Sequence, residues 1–433
     1  MASIWTETAK APHFVPLEGD IRTDVLVIGG GMAGILCAHF LQESGVSCVV
    51  AEAKTVGSGI TKDTTAKITA QHSLIYDTLL RRLGPGKAGA YLRANLEAVE
   101  AYGTLCQNIP CDFERKDNFI FERDDRGILE REMAALKVLG APAELTENLP
   151  LPFPTAGAVK FPNQAQFHPL KFLFALASGL TVYENTPIRE LRKGCAVTDR
   201  GKIFADRILV ATHFPFLNKH GSYFLKLYQS RSYVLSLSGA PQLPGMYLDG
   251  QKNGLSFRNF GSDLLLGGGG HRTGKPGGGW EALLAAAKEF YPQAKITRRW
   301  AAQDCMSLDG VPYIGPYSAR TPELYVATGF NKWGMTSSMV AARVLTDLIT
   351  GKDSEYASLF SPSRSILRPQ LAVNAWEATT NLLTFSKKRC PHLGCALKWN
   401  PHERTWDCPC HGSRFSEDGQ LIDNPATGDL PDR

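Results

Sequence analysis

Near the start of the chain, two short apolar runs bracket a helical pattern. Val25, Leu26, Val27 and Ile28 follow one another without a polar interruption, as a strand buried on both faces requires. A helical spacing then places Ile35, Leu36 and Phe40 among apolar positions up to Gly45, which suits a C-cap. Val46 to Ala51 supplies a second buried strand, and Glu52 stands at its end. Gly29, Gly31 and Gly34 occupy the turn with the spacing G-x-G-x-x-G. The first glycine permits the tight turn, the second lets backbone approach a pyrophosphate, and the third packs helix against strand. The helix N-terminus offers unsatisfied N–H groups to phosphate oxygens, and a terminal acid suits a ribose hydroxyl. Strand, turn, helix, strand and acid in this order predict a dinucleotide site. Gly29, Gly31, Met32, Ala33, Gly34, Glu52 and Ala53 are its candidates.

Further along, the pattern changes character. The small-residue, Thr-rich stretch Gly57 to His72 suits a loop running under a cofactor and adds Thr64 and Thr65. Helical spacing from Tyr76 is broken at Gly84-Pro85-Gly86, and its apolar stripe (Leu92, Leu96, Val99) belongs to a core. Prolines in "ENLPLPFPTAG" mark a crossing between subdomains. From Gly179 to His213, strands are predicted with turns at Lys193-Gly194 and Arg200-Gly201, ending in the apolar Ile208 to Ala211 and then Thr212. The stretch from Gln229 to Lys275 alternates as an antiparallel sheet does, with the runs Gly267–Gly270 and Gly277–Gly279 expected as flexible loops.

Composition narrows the class. A chain of 433 residues, 43% hydrophobic and 21% charged, can fill two or three cores. Its net charge of +5 is dispersed, which argues against nucleic-acid binding. No apolar window is long enough for a membrane span, and the N-terminus lacks the basic-then-apolar order of a signal peptide. Six of the cysteines are scattered, which fits a reducing cytoplasm.

"ILVATH" after a β-meander, "LDGVPYIGP" (Leu308 to Pro316) and "LYVATGFNKWGMTSSMVAARVLTDLITG" (Leu324 to Gly351) join the glycine motif in resembling two-domain flavoproteins related to D-amino-acid oxidase, glycine oxidase and sarcosine oxidase. The resemblance implies FAD as cofactor, with Thr212, Gly329, Gly334, Met335 and Thr336 close to it. A helix starting near Thr336 would stabilise negative charge on reduced flavin. It also implies a second domain whose sheet covers the flavin, which makes Arg231, Tyr233 and His271 substrate-site candidates by location.

The last tenth of the chain collects four cysteines and two histidines in "CPHLGC" and "CPCHGSRF". Cys390-x-His392 and Cys408-x-x-His411 offer two thiolates and two imidazoles, which suit tetrahedral zinc or a Rieske [2Fe–2S] centre. The two stretches resemble the ligand loops of Rieske proteins. That resemblance implies Cys390 and Cys408 on one iron, His392 and His411 on the other, a disulfide between Cys395 and Cys410, and a hydrogen bond from Ser413 to a bridging sulfide.

The fold class expected is α/β plus β: a Rossmann-type FAD-binding domain with an antiparallel-sheet substrate domain, then a small all-β Rieske domain. FAD-binding segments are expected at 1–95, 166–215 and 301–352, substrate-domain segments at 96–165 and 216–300, a connector at 353–372 and the Rieske domain at 373–433. The function implied is dehydrogenation of a small-molecule amine or amino acid to an imine. Electrons would pass through FAD and the cluster to an external acceptor (a small redox protein, a quinone or oxygen). An oxygen-reducing oxidase with a structural or redox-sensing cluster is the alternative, and a zinc-stabilised docking module is the non-enzymatic one.

Overall fold

The computed structural model describes residues 2–217, 220–251, 253–277 and 279–431. Its first sheet has eight strands, with the central order Tyr313–Ser318, Thr321–Thr328, Lys202–Val210, Ile21–Ile28, Cys48–Ala51, Val182–Tyr183. Ile21–Ile28 runs parallel to both Lys202–Val210 and Cys48–Ala51, pairing Ile28 with Val210 and with Ala51. Val210 in turn pairs with Val326. The strands therefore end level, and Gly29, Glu52, Ala211 and Gly329 all follow at the same C-terminal edge. That edge is where an open parallel sheet binds ligands. The helix Met32–Glu43 leaves this edge with Gly31 as its N-cap, and Gly45 follows its end at φ +77°. The expected turns fall between Glu190–Arg192, Cys195–Val197 and Lys202–Val210, which form a meander on the sheet.

The second sheet has nine strands and is mixed rather than purely antiparallel, because Met246–Asp249 runs parallel to Glu114–Glu122. Its broad half joins Lys295–Ser307, Leu227–Ser238, Asp263–Arg272 and Ser256–Phe260. The glycines Gly267–Gly270 do not form a flexible loop; they lie inside the strand Asp263–Arg272, next to a register irregularity between Arg231 and Tyr233. Close packing explains them: a Cβ on Gly267 would meet Ser256 Oγ at 2.6 Å, and one on Gly268 the Leu255 side chain at 2.9 Å. Gly279 opens the helix Gly279–Phe290, and Gly278 of the other run lies outside the described residues.

The break at Gly84-Pro85 is a kink inside one helix, Tyr76–Cys106, where Gly84 takes φ +76°. After the helix Gly334–Ile349, and before the C-terminal sheet, the chain forms Ala357–Phe360 and the helix Pro369–Leu383. A four-stranded antiparallel sheet follows, ordered Lys398–Asn400, Thr405–Asp407, Arg414–Ser416, Leu421–Asp423. Among the described residues no helix is long and apolar enough to cross a membrane.

Candidate functional site

A cavity of about 1210 Å³ opens along the C-terminal edge of the parallel sheet and continues beneath the second sheet. That volume exceeds a drug-sized pocket and suits a dinucleotide with a small substrate beside it. Its wall includes Gly29, Gly31, Met32, Ala33, Glu52, Ala53, Thr64, Thr65, Thr212, Gly329, Gly334 and Met335, and also Arg231, Tyr233 and His271. Gly34 and Thr336 stand behind it. A Cβ on Gly34 would lie 1.9 Å from the Gly29 carbonyl oxygen, so that glycine serves helix–strand packing.

The glycine turn is built to be approached. Gly29 has φ +113°, and a Cβ there would meet the Ala211 carbonyl oxygen at 2.6 Å. Glu52 turns one carboxylate oxygen to the Gly30 amide at 2.7 Å and the other to the Lys54 amide at 2.8 Å. Burial raises its pKa, and these amides partly offset the rise.

Side chains that motif reading missed hold the Thr64–Ala66 loop from behind. Trp5 donates its indole N–H to the Thr64 carbonyl at 2.7 Å. The buried Arg258 donates to the carbonyls of Thr65 and Ala66 at 2.7 and 2.8 Å. Lys67, also in the cavity wall, has its pKa pushed down to about 7 by burial. Beneath the helix Gly334–Ile349, His72 stacks on Trp333 with ring centroids 4.9 Å apart and lies 2.9 Å from Thr336 Oγ1. Burial lowers the His72 pKa to about 3, so it is neutral and bridges Thr336 to Tyr91. Trp5 and Arg258 belong to no motif, and only the fold brings them to the Thr64–Ala66 loop.

At the other end of the chain, two loops of the same form face each other. The Cys390 amide donates to the Cys395 carbonyl and the Gly394 amide to the Cys390 carbonyl, each at 2.9 Å. The Cys408 amide donates to the Ser413 carbonyl and the Gly412 amide to the Cys408 carbonyl, again at 2.9 Å. Each loop returns through a left-handed glycine, Gly394 at φ +79° and Gly412 at φ +85°. Between the loops, the His392 and His411 rings stand 4.8 Å apart and nearly perpendicular. Cys390, Cys408 and His411 are buried. Burial, reinforced by His411, lowers the His392 pKa to about 4, which leaves the imidazole neutral as a metal ligand must be. Hydrogen bonds, the first from Cys390, hold the Cys408 thiol well below its ordinary pKa. Two buried thiols and two imidazoles meeting between paired loops fit the donor set of a Rieske cluster.

The expected disulfide is corrected. Cys395 and Cys410 are free thiols, gathered with Cys408 so that the three sulfur atoms lie within 4.8 Å of one another. The pair is not isolated: the Cys408 sulfur shares its surroundings and hydrogen-bonds with both. Ser413 Oγ accepts the Ala426 amide at 3.0 Å and contacts the Cys390 thiol.

Both sheets of the larger part of the chain fasten the loops. Arg272 donates to the Pro409 and Cys410 carbonyls at 3.0 and 3.1 Å, and Gln303 to the Gly412 carbonyl at 2.9 Å. Asn424 donates to the carbonyls of Thr212 and Phe214 at 2.6 and 2.8 Å. Thr212 lines the cavity, while the Phe214 ring lies 6.3 Å from His392 and 6.2 Å from His411.

Residues 24–348 match the FAD dependent oxidoreductase family. The chain belongs to that family. Residues 364–432 match the Rieske [2Fe-2S] domain, so this FAD-dependent oxidoreductase carries an iron–sulfur module at its C-terminal end. The Rieske 2Fe-2S iron-sulfur protein YhfW of Bacillus subtilis (strain 168) is 33% identical, with 98% of this chain and 95% of that protein covered. A cytochrome b6-f complex iron-sulfur subunit of Nostoc is 51% identical over 37 residues, 8% of this chain and 21% of its own. Glycine oxidase from Geobacillus kaustophilus superposes with a TM-score of 0.67 at 21% identity, covering 80% of this chain and 99% of its own. L-proline dehydrogenase from P. horikoshii gives 0.68 at 17% identity, covering 80% and 98%.

Proposed function

We propose that the protein oxidises the C–N bond of an amine or amino acid to an imine and delivers the electrons to an external acceptor. Two electrons and two protons leave the substrate, and water hydrolyses the imine to a carbonyl compound and the freed amine. FAD supplies two-electron acceptance with one-electron release, and the [2Fe–2S] cluster a one-electron relay.

The relation of Thr212 to Phe214 carries this reading. Two residues span at most ~7 Å, so one short stretch of backbone separates the cavity wall from the ring that packs on both histidines. Asn424 ties that stretch to the C-terminal domain, and Gln229, Gln303 and Arg272 hold the second cluster loop. The names of the similarly folded glycine oxidase and L-proline dehydrogenase support a C–N substrate class. In this reading Gly29, Gly31, Glu52, Thr64, Thr65, Gly329 and Gly334 hold FAD, and Cys390, His392, Cys408 and His411 hold the cluster. The acceptor is a small redox protein, a quinone or oxygen. The six scattered cysteines, all free thiols, support a reducing cytoplasm as its location.

The test is anaerobic addition of amines and amino acids to protein loaded with both groups. A substrate bleaches the flavin and then produces the paramagnetic signal of the reduced cluster. Bleaching with a cluster that never changes removes the cluster from the electron path.

A further inference from the structure

The hairpin between Lys398–Asn400 and Thr405–Asp407 reaches from the Rieske domain into the cavity wall, where Glu403 and Thr405 stand with Arg231 and Tyr233. Its turn is set locally. The Asn400 side-chain oxygen accepts the His402 and Glu403 amides at 3.1 and 3.3 Å, and Arg404 follows at φ +54°. The turn delivers the Glu403 carboxylate to the guanidinium of Arg231. Arg231 Nε donates to Oε1 at 3.1 Å, and its Nη2 pairs with Oε2. Tyr233 donates its hydroxyl to Oε1 at 3.1 Å, and Arg414 donates to Oε2 at 2.8 Å. The Arg231 and Glu403 side chains are 3% and 11% exposed, so the pair is shielded from water.

A guanidinium offers a flat fork that matches one carboxylate. In this cavity the matching carboxylate belongs to the chain. Removing it from Arg231 would strand a buried charge, which is costly. The surrounding charges also disfavour a second anion: Arg231 and Arg414 face Glu403, Asp407 and Asp423, an excess of one acid. Further cations of the wall are engaged: Lys62 pairs with Asp63, and Lys67 donates to Thr65 Oγ1 at 3.1 Å. Arg272 is bound to the Pro409 and Cys410 carbonyls, and Lys332 lies in the field of Asp304.

We propose that Glu403 takes, from within the chain, the place a substrate carboxylate would occupy on Arg231, so that the cavity admits cationic amines without a free carboxylate beside the reacting nitrogen and rejects free α-amino acids. This deepens the amine-oxidation reading and rests on it for the word substrate. The occupancy of Arg231 stands apart from turnover. Glu403 is thus a specificity determinant supplied by the iron–sulfur domain, and the two domains build one substrate site.

The experiment uses full-length protein loaded with FAD and cluster, titrated with benzoate as a carboxylate probe and followed by the flavin difference spectrum and by calorimetry. Glu403→Ala and the shape-preserving Glu403→Gln bind benzoate about ten- to a hundredfold more tightly than the unaltered protein, the gain of one charge-assisted pair. The double variant Arg231→Met, Glu403→Gln loses that gain. In parallel, phenethylamine and phenylalanine are compared as reductants of the unaltered protein, and only the amine is accepted. Equal benzoate affinity with and without Glu403, no benzoate binding to any variant, or reduction by phenylalanine in preference to phenethylamine overturns the proposal. If neither compound reduces the flavin but the benzoate gain appears, the assignment of Glu403 stands and the amine-oxidation reading fails.

Discussion

Gln229 donates its side-chain amide to the carbonyl of His411 at 3.0 Å, so a strand of the second sheet grips a cluster loop by its backbone. The same amide donates to the Asn424 carbonyl at 3.0 Å, joining the loop to the residue that caps Thr212 and Phe214. The two redox sites are therefore held by side chains that donate to main-chain carbonyls, which fixes position without altering the ligands themselves. Replacing Arg272 by Met removes the hydrogen bonds to the Pro409 and Cys410 carbonyls while leaving all four candidate ligands in place. The expected outcome is slower transfer from flavin to cluster with an unchanged rate of flavin reduction, measured by stopped-flow absorbance. The cluster's paramagnetic spectrum stays close to that of the unaltered protein.

The paired loops allow an internal control on packing. Among the described residues Gly394→Ala meets only Leu382, at 4.0 Å, so its cost is the left-handed backbone, about 1 kcal/mol. Gly412→Ala carries the same backbone cost and drives a Cβ to 2.5 Å from that of Gln229, for a total of about 2 kcal/mol or more. Thermal unfolding and iron content separate the two: both variants lose stability, and Gly412→Ala loses more.

Arg258 holds the Thr65 and Ala66 carbonyls although neither is near it in sequence. Arg258→Met releases the loop, and FAD affinity falls by about tenfold or more, read as flavin content after dialysis. Trp5→Phe, which removes only the donor to Thr64, gives a smaller loss in the same assay.

His72 sets a pH dependence with a definite sign. Its folded pKa of about 3 lies below the ordinary 6.5, so the unfolded chain binds a proton there that the folded chain refuses. Its contribution is unfavourable to folding as pH falls from about 6.5 toward 3, by up to about 1.4 kcal/mol per pH unit. Glu132, raised by burial to about 7, acts in the opposite direction, so the whole-protein slope does not isolate His72. The difference in urea stability between the unaltered protein and His72→Gln does, and it shrinks or reverses on acidification.

Much of this arrangement was legible in the chain where a local motif carries the chemistry. Gly29 to Glu52 announces strand, turn, helix and strand because each step is set by neighbours a few residues away. Cys390 to Cys395 and Cys408 to Ser413 repeat one loop design and are legible for the same reason. Pairings made by tertiary structure were not legible. Arg231 and Glu403 stand 172 residues apart, and Trp5 reaches Thr64 only because the N-terminal helix folds back over the loop. Arg231 and Tyr233 could be placed on a sheet facing the cofactor, but not identified as partners of the iron–sulfur domain. The glycines Gly267–Gly270 misled because local composition cannot distinguish a flexible loop from a strand that must be approached closely. The Cys395–Cys410 disulfide came from resemblance, and the arrangement of the three thiols replaces it.

The most direct test of the connection between the two redox groups needs no substrate. The flavin is reduced by light under anaerobic conditions in protein carrying both groups, and the cluster is followed by low-temperature paramagnetic resonance at several protein concentrations. The bridge through Thr212 and Phe214 predicts that the cluster becomes reduced at a rate independent of protein concentration. A cluster that stays oxidised, or a rate that rises in proportion to concentration, contradicts it.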